Sequence, residues 1–132
     1  MGDSKQRTHI AVIGGGSWGT TLASLLCRNA RVTLWARDIA VVDEINQAHR
    51  HSRYLGDLAL NNKLQATNDL ETALTAADAV FVAIPSHNFR AVLESVVPYI
   101  GETTPIISMT KGLEAATQKR MTEIIQELCP NH

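Results

Sequence analysis

Apolar residues along this chain fall into two alternating patterns, and the alternation predicts the order of the structural elements. Short and nearly continuous apolar runs, bounded by glycine, proline or polar residues, are typical of buried β-strands. The clearest of them is almost wholly apolar and is followed by Pro85. Five such runs predict five strands, at 9–13, 31–36, 64–67, 79–84 and 105–109.

The stretches between these runs carry apolar residues at helical spacing. Helix N-caps are predicted at Asp38, at either Asn68 or Asp69, and at Ser86. The polar stretch 47–62 predicts a loop. Five helices are predicted from the following apolar sets: Leu22, Leu25 and Leu26; Val41, Val42 and Ile45; Leu70, Ala73, Leu74 and Ala77; Phe89, Val92, Leu93, Val96 and Val97; Met121, Ile124, Ile125 and Leu128.

Strands that alternate with helices predict an α/β fold in which a parallel sheet carries helices on both faces. This is the doubly wound, Rossmann-type arrangement, and we expect one such domain to fill residues 1–132. Its crossovers are right-handed, so ligands bind beyond the carboxyl ends of the strands, where the strand order reverses.

The strongest local signal follows the first predicted strand, where Gly-Gly-Gly-Ser-Trp-Gly fits the pattern G-x-G-x-x-G. Gly14 permits a tight turn, Gly16 lets the backbone approach a pyrophosphate, and Gly19 allows close packing of helix on strand. The amides of residues 17–20 would face the anion at the positive end of the helix dipole. The simpler alternative is that these glycines serve only as a turn.

The end of the second strand is expected to meet the adenosine ribose of a dinucleotide. An acidic residue there favours NAD, but this chain has Arg37 followed by Asp38. An arginine pairs with a 2′-phosphate through two hydrogen bonds or stacks on adenine. We favour a cofactor contact for Arg37 and a helix cap for Asp38, so the expected cofactor is NADP or NAD.

Other candidates lie on the same predicted rim, each with a simpler alternative. Ser86 either contacts the cofactor or only caps its helix, and His87 is favoured as a surface residue. Lys111 either holds a substrate phosphate as a point charge or is solvated. Trp18 either packs or lies against the cofactor. A basic loop follows the second helix, and spacing alone favours a solvated loop for its residues His49, Arg50, His51, Arg53 and Tyr54.

Composition narrows the class of protein. The chain has 132 residues, of which 45% are hydrophobic and 19% charged, and a net charge of −1. These values are typical of a soluble globular domain and give no general attraction to nucleic acid. No apolar run reaches the roughly 20 residues that membrane insertion needs. Cys27 and Cys129 show no metal-ligand spacing, and we expect buried free thiols in the cytoplasm.

Five motifs together resemble the bacterial-type NAD(P)-dependent glycerol-3-phosphate dehydrogenases, in family order and spacing. They are Ile-Gly-Gly-Gly-Ser-Trp-Gly-Thr-Thr-Leu-Ala at 13–23, Leu-Trp-Ala-Arg-Asp at 34–38, Arg-Tyr-Leu at 53–55, Ile-Pro-Ser-His at 84–87 and Thr-Lys-Gly-Leu-Glu at 110–114. The resemblance implies reversible hydride transfer between NAD(P)H and dihydroxyacetone phosphate, giving sn-glycerol 3-phosphate for phospholipid synthesis.

The resemblance also assigns roles to individual residues. It implies that Ser17 and Trp18 contact the cofactor, that Arg37 lies by the adenosine ribose, and that Lys111 touches both cofactor and substrate. It implies a cofactor-side place for Tyr54. His51 stands where the family usually has Asn, and Gly56 where it usually has Pro, so contacts from this loop transfer least directly.

Members of the family are about twice as long, and their second half, a helical substrate domain, supplies the catalytic lysine. We therefore expect an isolated N-terminal cofactor domain that binds cofactor, contains no catalytic residue and turns over slowly or not at all. Hydride transfer also needs a positioned proton donor and an immobilised substrate.

Two other classes stay open on the sequence alone. One is the cofactor domain of another two-domain dehydrogenase, of the 3-hydroxyacid or ketopantoate type, against which the lysine of the last motif argues. The other is a non-catalytic nucleotide-sensing module. A homodimer is left open as a partner, while no nucleic acid and no membrane insertion is expected.

Overall fold

The computed structural model describes residues 7–130 and has a five-stranded parallel sheet at its centre. Its strands are β1 (His9–Ile13), β2 (Arg31–Trp35), β3 (Gln65–Thr67), β4 (Ala79–Val82) and β5 (Ile106–Ser108). They lie side by side in the order β3-β2-β1-β4-β5, and every neighbouring pair is parallel. The order reverses between β1 and β4, so a ligand crevice is expected at the carboxyl ends of these two strands.

Helices cover both faces of the sheet, as predicted for a doubly wound fold. The helices are α1 (Ser17–Leu26), α2 (Ile39–Ala48), α3 (Ser52–Leu55), α4 (Leu70–Leu74), α5 (Ser86–Val96) and α6 (Met121–Leu128), with a 3₁₀ turn at Val97–Tyr99. One core cluster joins the sheet to α1 and α2 through residues such as Ala23 and Ile45. The other joins it to α4, α5 and α6 through residues such as Leu74, Phe89 and Ile124.

Four strands are shorter than the apolar runs that predicted them, by one or two residues at their ends. The reason is that burial continues past the last residues that pair as strands. Ala36 and Ile84 lie just beyond β2 and β4 and are still buried. Apolar character records burial, so it locates the strand without fixing its last residue.

Two of the predicted helix caps are confirmed and one is wrong. Asp38 accepts a hydrogen bond from the backbone N–H of Ala40, and Asp69 accepts one from the N–H of Thr72. Ser86 was expected to cap α5, but it is the first helical residue, Pro85 precedes it as the N-cap, and no side-chain cap bond forms. Proline before the first turn supplies a fixed φ without needing a donor.

The stretch 47–62 is not a loop throughout, since α2 extends to Ala48 and α3 forms one turn inside it.

The spacing of the leucines in α1 does not match the face of that helix that is buried. Leu25 is exposed, whereas the buried residues are Gly19, Thr20 and Ala23. Small residues face inward because α1 lies close to the strands beneath it.

Candidate dinucleotide-binding cleft

The glycine-rich turn after β1 adopts a conformation that only glycine takes easily. Gly14 has a φ of +129°, and a Cβ there would lie 2.1 Å from the carbonyl oxygen of Ala83 at the end of β4. Its N–H donates to the carbonyl oxygen of Trp35 at 3.0 Å. A Cβ on Gly19 would lie 2.2 Å from the carbonyl oxygen of Gly14. Two of the three motif glycines therefore allow the turn and α1 to close onto the sheet.

Gly16 differs from these two glycines. A Cβ added to it would meet no atom within 4 Å, so the space in front of its Cα is open. It is the N-cap of α1 and has an extended backbone, and no side chain at this position accepts a hydrogen bond from the first amides of the helix. Among the described residues, the amides of Ser17, Trp18 and Gly19 have no backbone acceptor. The amide of Thr20, which we also expected to face the anion, instead donates to the carbonyl oxygen of Gly16 at 3.0 Å.

An open cleft of about 360 Å³ lies in front of these amides. The residues that line it come from the glycine-rich turn, the end of β2, α2, the α3 turn and the residue after β4. They are Gly15, Gly16, Ser17, Ala36, Arg37, Asp38, Val41, Arg53, Tyr54 and Pro85. Unpaired donors at a helix N-terminus, together with two guanidinium groups, make this cleft suited to an extended anion.

Of the predicted site residues, the structure brings Gly16, Ser17, Arg37 and Tyr54 into the cleft. Gly14 and Gly19 are buried beneath it and shape the turn.

Trp18, Ser86 and Lys111 do not line the cleft. Trp18 is 52% exposed, so the alternative that it packs into the core is wrong. His87 is exposed, as favoured from the sequence.

Asp38 has two partners in the cleft wall. Beyond its cap bond to Ala40, its Oδ2 accepts from Arg53 Nη2 at 2.9 Å. The Ala40 N–H, and after it the Arg53 guanidinium, holds the pKa of the Asp38 carboxyl below its usual range. Arg53 was expected on a solvated loop, and its side chain is indeed exposed, but it is paired.

His51 was expected with the same solvated loop, and this prediction is wrong. Its side chain is fully buried, and its Nε2 donates to the carbonyl oxygen of Gly15 at 2.7 Å. Its ring centroid lies 5.1 Å from that of Tyr54. His51 thus fastens the glycine-rich turn to the loop that carries Arg53. The departure from the family's usual Asn was the one sequence signal at this position.

Removing the His51 donor is expected to loosen the glycine-rich turn. His51→Leu leaves the part-buried Gly15 carbonyl without this donor, which costs up to about 1–3 kcal/mol of the free energy of unfolding. His51→Gln places an amide nitrogen near the position of Nε2 and is expected to restore most of that loss. Urea denaturation of both variants measures the difference. Equal stabilities for the Leu and Gln variants would show that the hydrogen bond contributes nothing.

A second feature of the rim lies between the ends of β4 and β5. Thr110 Oγ1 donates to the carbonyl oxygen of Ile84 at 2.6 Å and accepts from the Ile84 N–H at 3.2 Å. Gly112 has a φ of +99°, and a Cβ there would lie 3.7 Å from Ser86 Oγ. The segment around Lys111 is therefore held beside the start of α5, as predicted for two motifs on one rim.

Arg90 on α5 fixes the far end of that segment. It contacts both oxygens of Glu114, with distances of 2.8 and 3.0 Å, and both oxygens of Glu127, at 2.7 and 3.2 Å. Hydrogen bonds from Arg90, and then from Lys119, lower the pKa of Glu127 to about 2. Arg90 likewise lowers the pKa of Glu114. These bonds tie the loop after β5 to α5 and α6.

Acid is expected to weaken this network. A carboxyl whose pKa is depressed in the folded state stabilises the fold above its unfolded pKa of 4.5, and this contribution is lost as the pH falls from there toward about 2. Thermal midpoints should therefore drop over that window, and Glu127→Gln should flatten the drop. Glu94→Gln, an exposed carboxyl on α5, is the matched control. Identical profiles for wild type and Glu127→Gln would contradict the assignment.

The parallel sheet, the glycine-rich turn at the switch point and the unpaired amides at α1 define a Rossmann-class nucleotide-binding domain. Residues 9–132 match the family described as NAD-dependent glycerol-3-phosphate dehydrogenase N-terminus. The chain belongs to this family.

Relatives and solved structures agree with this assignment. The chain is 46% identical over 126 residues to glycerol-3-phosphate dehydrogenase (NAD(P)+) 2 of Sphingopyxis alaskensis, covering 96% of this chain and 38% of that protein. It is 42% identical over 133 residues to glycerol-3-phosphate dehydrogenase (NAD(P)+) 1 of Mycobacterium bovis, covering 100% of this chain and 39% of that protein. The crystal structure of glycerol-3-phosphate dehydrogenase from Coxiella burnetii superposes with a TM-score of 0.85 at 31% identity, covering 93% and 38%. The chain thus spans less than half the length of these proteins.

Proposed function

We propose that this chain binds NADP(H) or NAD(H) as the cofactor domain of an sn-glycerol-3-phosphate dehydrogenase. The observation that carries the proposal is the row of unpaired amides at the N-terminus of α1, beside open space at Gly16 and in the same cleft as Arg37. The pyrophosphate would accept from these amides. The residues proposed to hold the cofactor are Gly14, Gly16, Ser17, Trp18, Gly19, Arg37, Tyr54, Ser86 and Lys111.

The reaction we propose for the complete enzyme is reduction of dihydroxyacetone phosphate to sn-glycerol 3-phosphate, for phospholipid synthesis. The relatives' names support this substrate. The bound nicotinamide would supply the hydride. Within this chain Lys111 is proposed to contact the substrate phosphate as well as the cofactor, and no residue of the chain is assigned the role of catalytic acid.

We further propose that all 132 residues form one cofactor domain that acts in the cytoplasm. The free cysteines Cys27 and Cys129 support this location, because both are buried and unpaired. Burial raises the pKa of both thiols, which keeps them protonated and unreactive. Among residues 7–130, no helix combines the length and apolar character needed to cross a bilayer.

Calorimetric titration of the chain with NADPH, NADH and ATP tests the proposal. One dinucleotide per chain, bound more tightly than ATP, is the expected result, because ATP carries no second nucleoside to fill the cleft. Binding of ATP as tight as that of either dinucleotide would favour the nucleotide-sensing alternative. No binding of NADPH or NADH by a folded chain would overturn the proposal.

A further inference from the structure

The end of β2 carries a carboxylate whose two oxygens are both occupied. Asp38 Oδ1 accepts from the backbone N–H of Ala40 at 2.9 Å, and Oδ2 accepts from Arg53 Nη2 at 2.9 Å. Asp38 is the N-cap of α2, so the first bond is part of the helix. The second bond comes from α3, fifteen residues further along the chain.

Two guanidinium groups lie in the same cleft as this carboxylate. Arg37 and Arg53 both line it, together with Asp38 and the glycine-rich turn. Among the described residues no acceptor is found for the guanidinium of Arg37, while Arg53 is held by Asp38. The three charges sum to one net positive charge, at the place where the adenosine ribose lies in this class of fold.

The charge pattern reverses the usual meaning of an acidic residue at this position. A free carboxylate there accepts hydrogen bonds from the ribose hydroxyls and repels a 2′-phosphate, which favours NAD. Here Arg53 neutralises the carboxylate and the cap bond engages its other oxygen. The ion pair is exposed, with side chains 57% and 40% accessible, so a stronger anion can recruit Arg53 at little cost.

We infer that Arg53 is a specificity-determining residue that selects NADP over NAD. Arg53 and Arg37 form a fork-like site for the 2′-phosphate, and Asp38 holds Arg53 in the cleft when no cofactor is bound. Guanidinium groups suit this task because their donors match phosphate oxygens in pairs. The inference rests on the proposed function, since it concerns which dinucleotide fills the same cleft.

Arg53→Gln tests the inference by removing the charge and the fork together. NADPH affinity is expected to fall at least about tenfold, the effect of losing a hydrogen bond between charged groups. NADH affinity is expected to stay within about threefold or to rise, because Asp38 is freed for the ribose hydroxyls. Lys63→Gln removes an exposed positive charge that does not line the cleft and is the matched control. Titration with 2′,5′-ADP and 5′-AMP repeats the comparison with ligands that differ in one phosphate.

Asp38→Asn separates the two roles of the carboxylate. Asparagine still caps a helix, but it carries no charge to hold Arg53, so NADPH binding should be kept or strengthened. A similar loss for NADPH and NADH in Arg53→Gln, or no loss for either, would overturn the inference. A wild-type chain that binds NADH as tightly as NADPH would also overturn the inference. A wild-type chain that binds neither dinucleotide would instead contradict the proposed function.

Discussion

Gly14→Ala is expected to destabilise the protein more than any other single methyl group added to the glycine-rich turn. The residue sits at φ +129°, where an L side chain is strained, and the new Cβ would lie 2.1 Å from the backbone oxygen of Ala83. Strain of about 1–3 kcal/mol and overpacking of about 1–3 kcal/mol act together. Since small domains have only about 5–15 kcal/mol of net stability, the variant should lose a large share of its free energy of unfolding. Urea denaturation followed by far-ultraviolet circular dichroism measures the loss.

Gly16→Ala is the matched control for this experiment. It adds the same methyl group two residues later, where φ is −78° and no atom lies within 4 Å. Its loss is expected to stay below about 1 kcal/mol, the difference between glycine and alanine at an N-cap. Equal unfolding midpoints for Gly14→Ala and Gly16→Ala would show that the turn tolerates a side chain at Gly14.

The elements of this fold could be predicted because each depends on its own segment of the sequence. Five apolar runs gave the five strands, and the spacing of Phe89, Val92, Leu93 and Val96 gave the buried face of α5. Asp38 and Asp69 could be predicted as caps because a cap bonds within two or three residues of itself. Local signals of this kind require no knowledge of which segments meet.

The contacts that complete the cleft could not be predicted in the same way. His51 reaches Gly15 across 36 residues, and Arg53 reaches Asp38 across 15. Both side chains lie in a polar stretch without a regular spacing of apolar residues. The sequence therefore does not indicate which of its side chains point toward the rest of the protein. Their partners depend on the packing of α3 against the glycine-rich turn, which is a contact between distant segments. For the same reason the sequence predicts a solvated His51, whereas its side chain is buried.

Thr110 illustrates an intermediate case. The motif at 110–114 predicts a role for Lys111 through the family resemblance, but it predicts none for Thr110. In the structure Thr110 bonds both backbone groups of Ile84 and so joins the ends of β4 and β5. The position of the motif in the sequence is enough to place this segment on the rim. Only the hydrogen bonds of the structure show that Thr110 holds the rim together while Lys111 is exposed on it.

Gly16→Ser is expected to separate binding from stability, with the two changing in opposite directions. Serine is a better N-cap than glycine, so the free energy of unfolding should rise by a few tenths of a kcal/mol. Its hydroxyl would fill the open space before α1 and accept from an amide that the pyrophosphate needs. Losing one charge-assisted hydrogen bond lowers NADPH affinity by about 10- to 100-fold.

Calorimetry with NADPH and urea denaturation of the same Gly16→Ser preparation measure the two quantities together. Ala116→Ser adds a hydroxyl at an exposed position outside the cleft and should change neither. A more stable protein that binds NADPH more weakly cannot owe its loss to unfolding, so the anion must lie in front of the N-terminus of α1. Unchanged NADPH affinity in a folded Gly16→Ser chain would move the pyrophosphate away from this helix, and the proposed cofactor site with it.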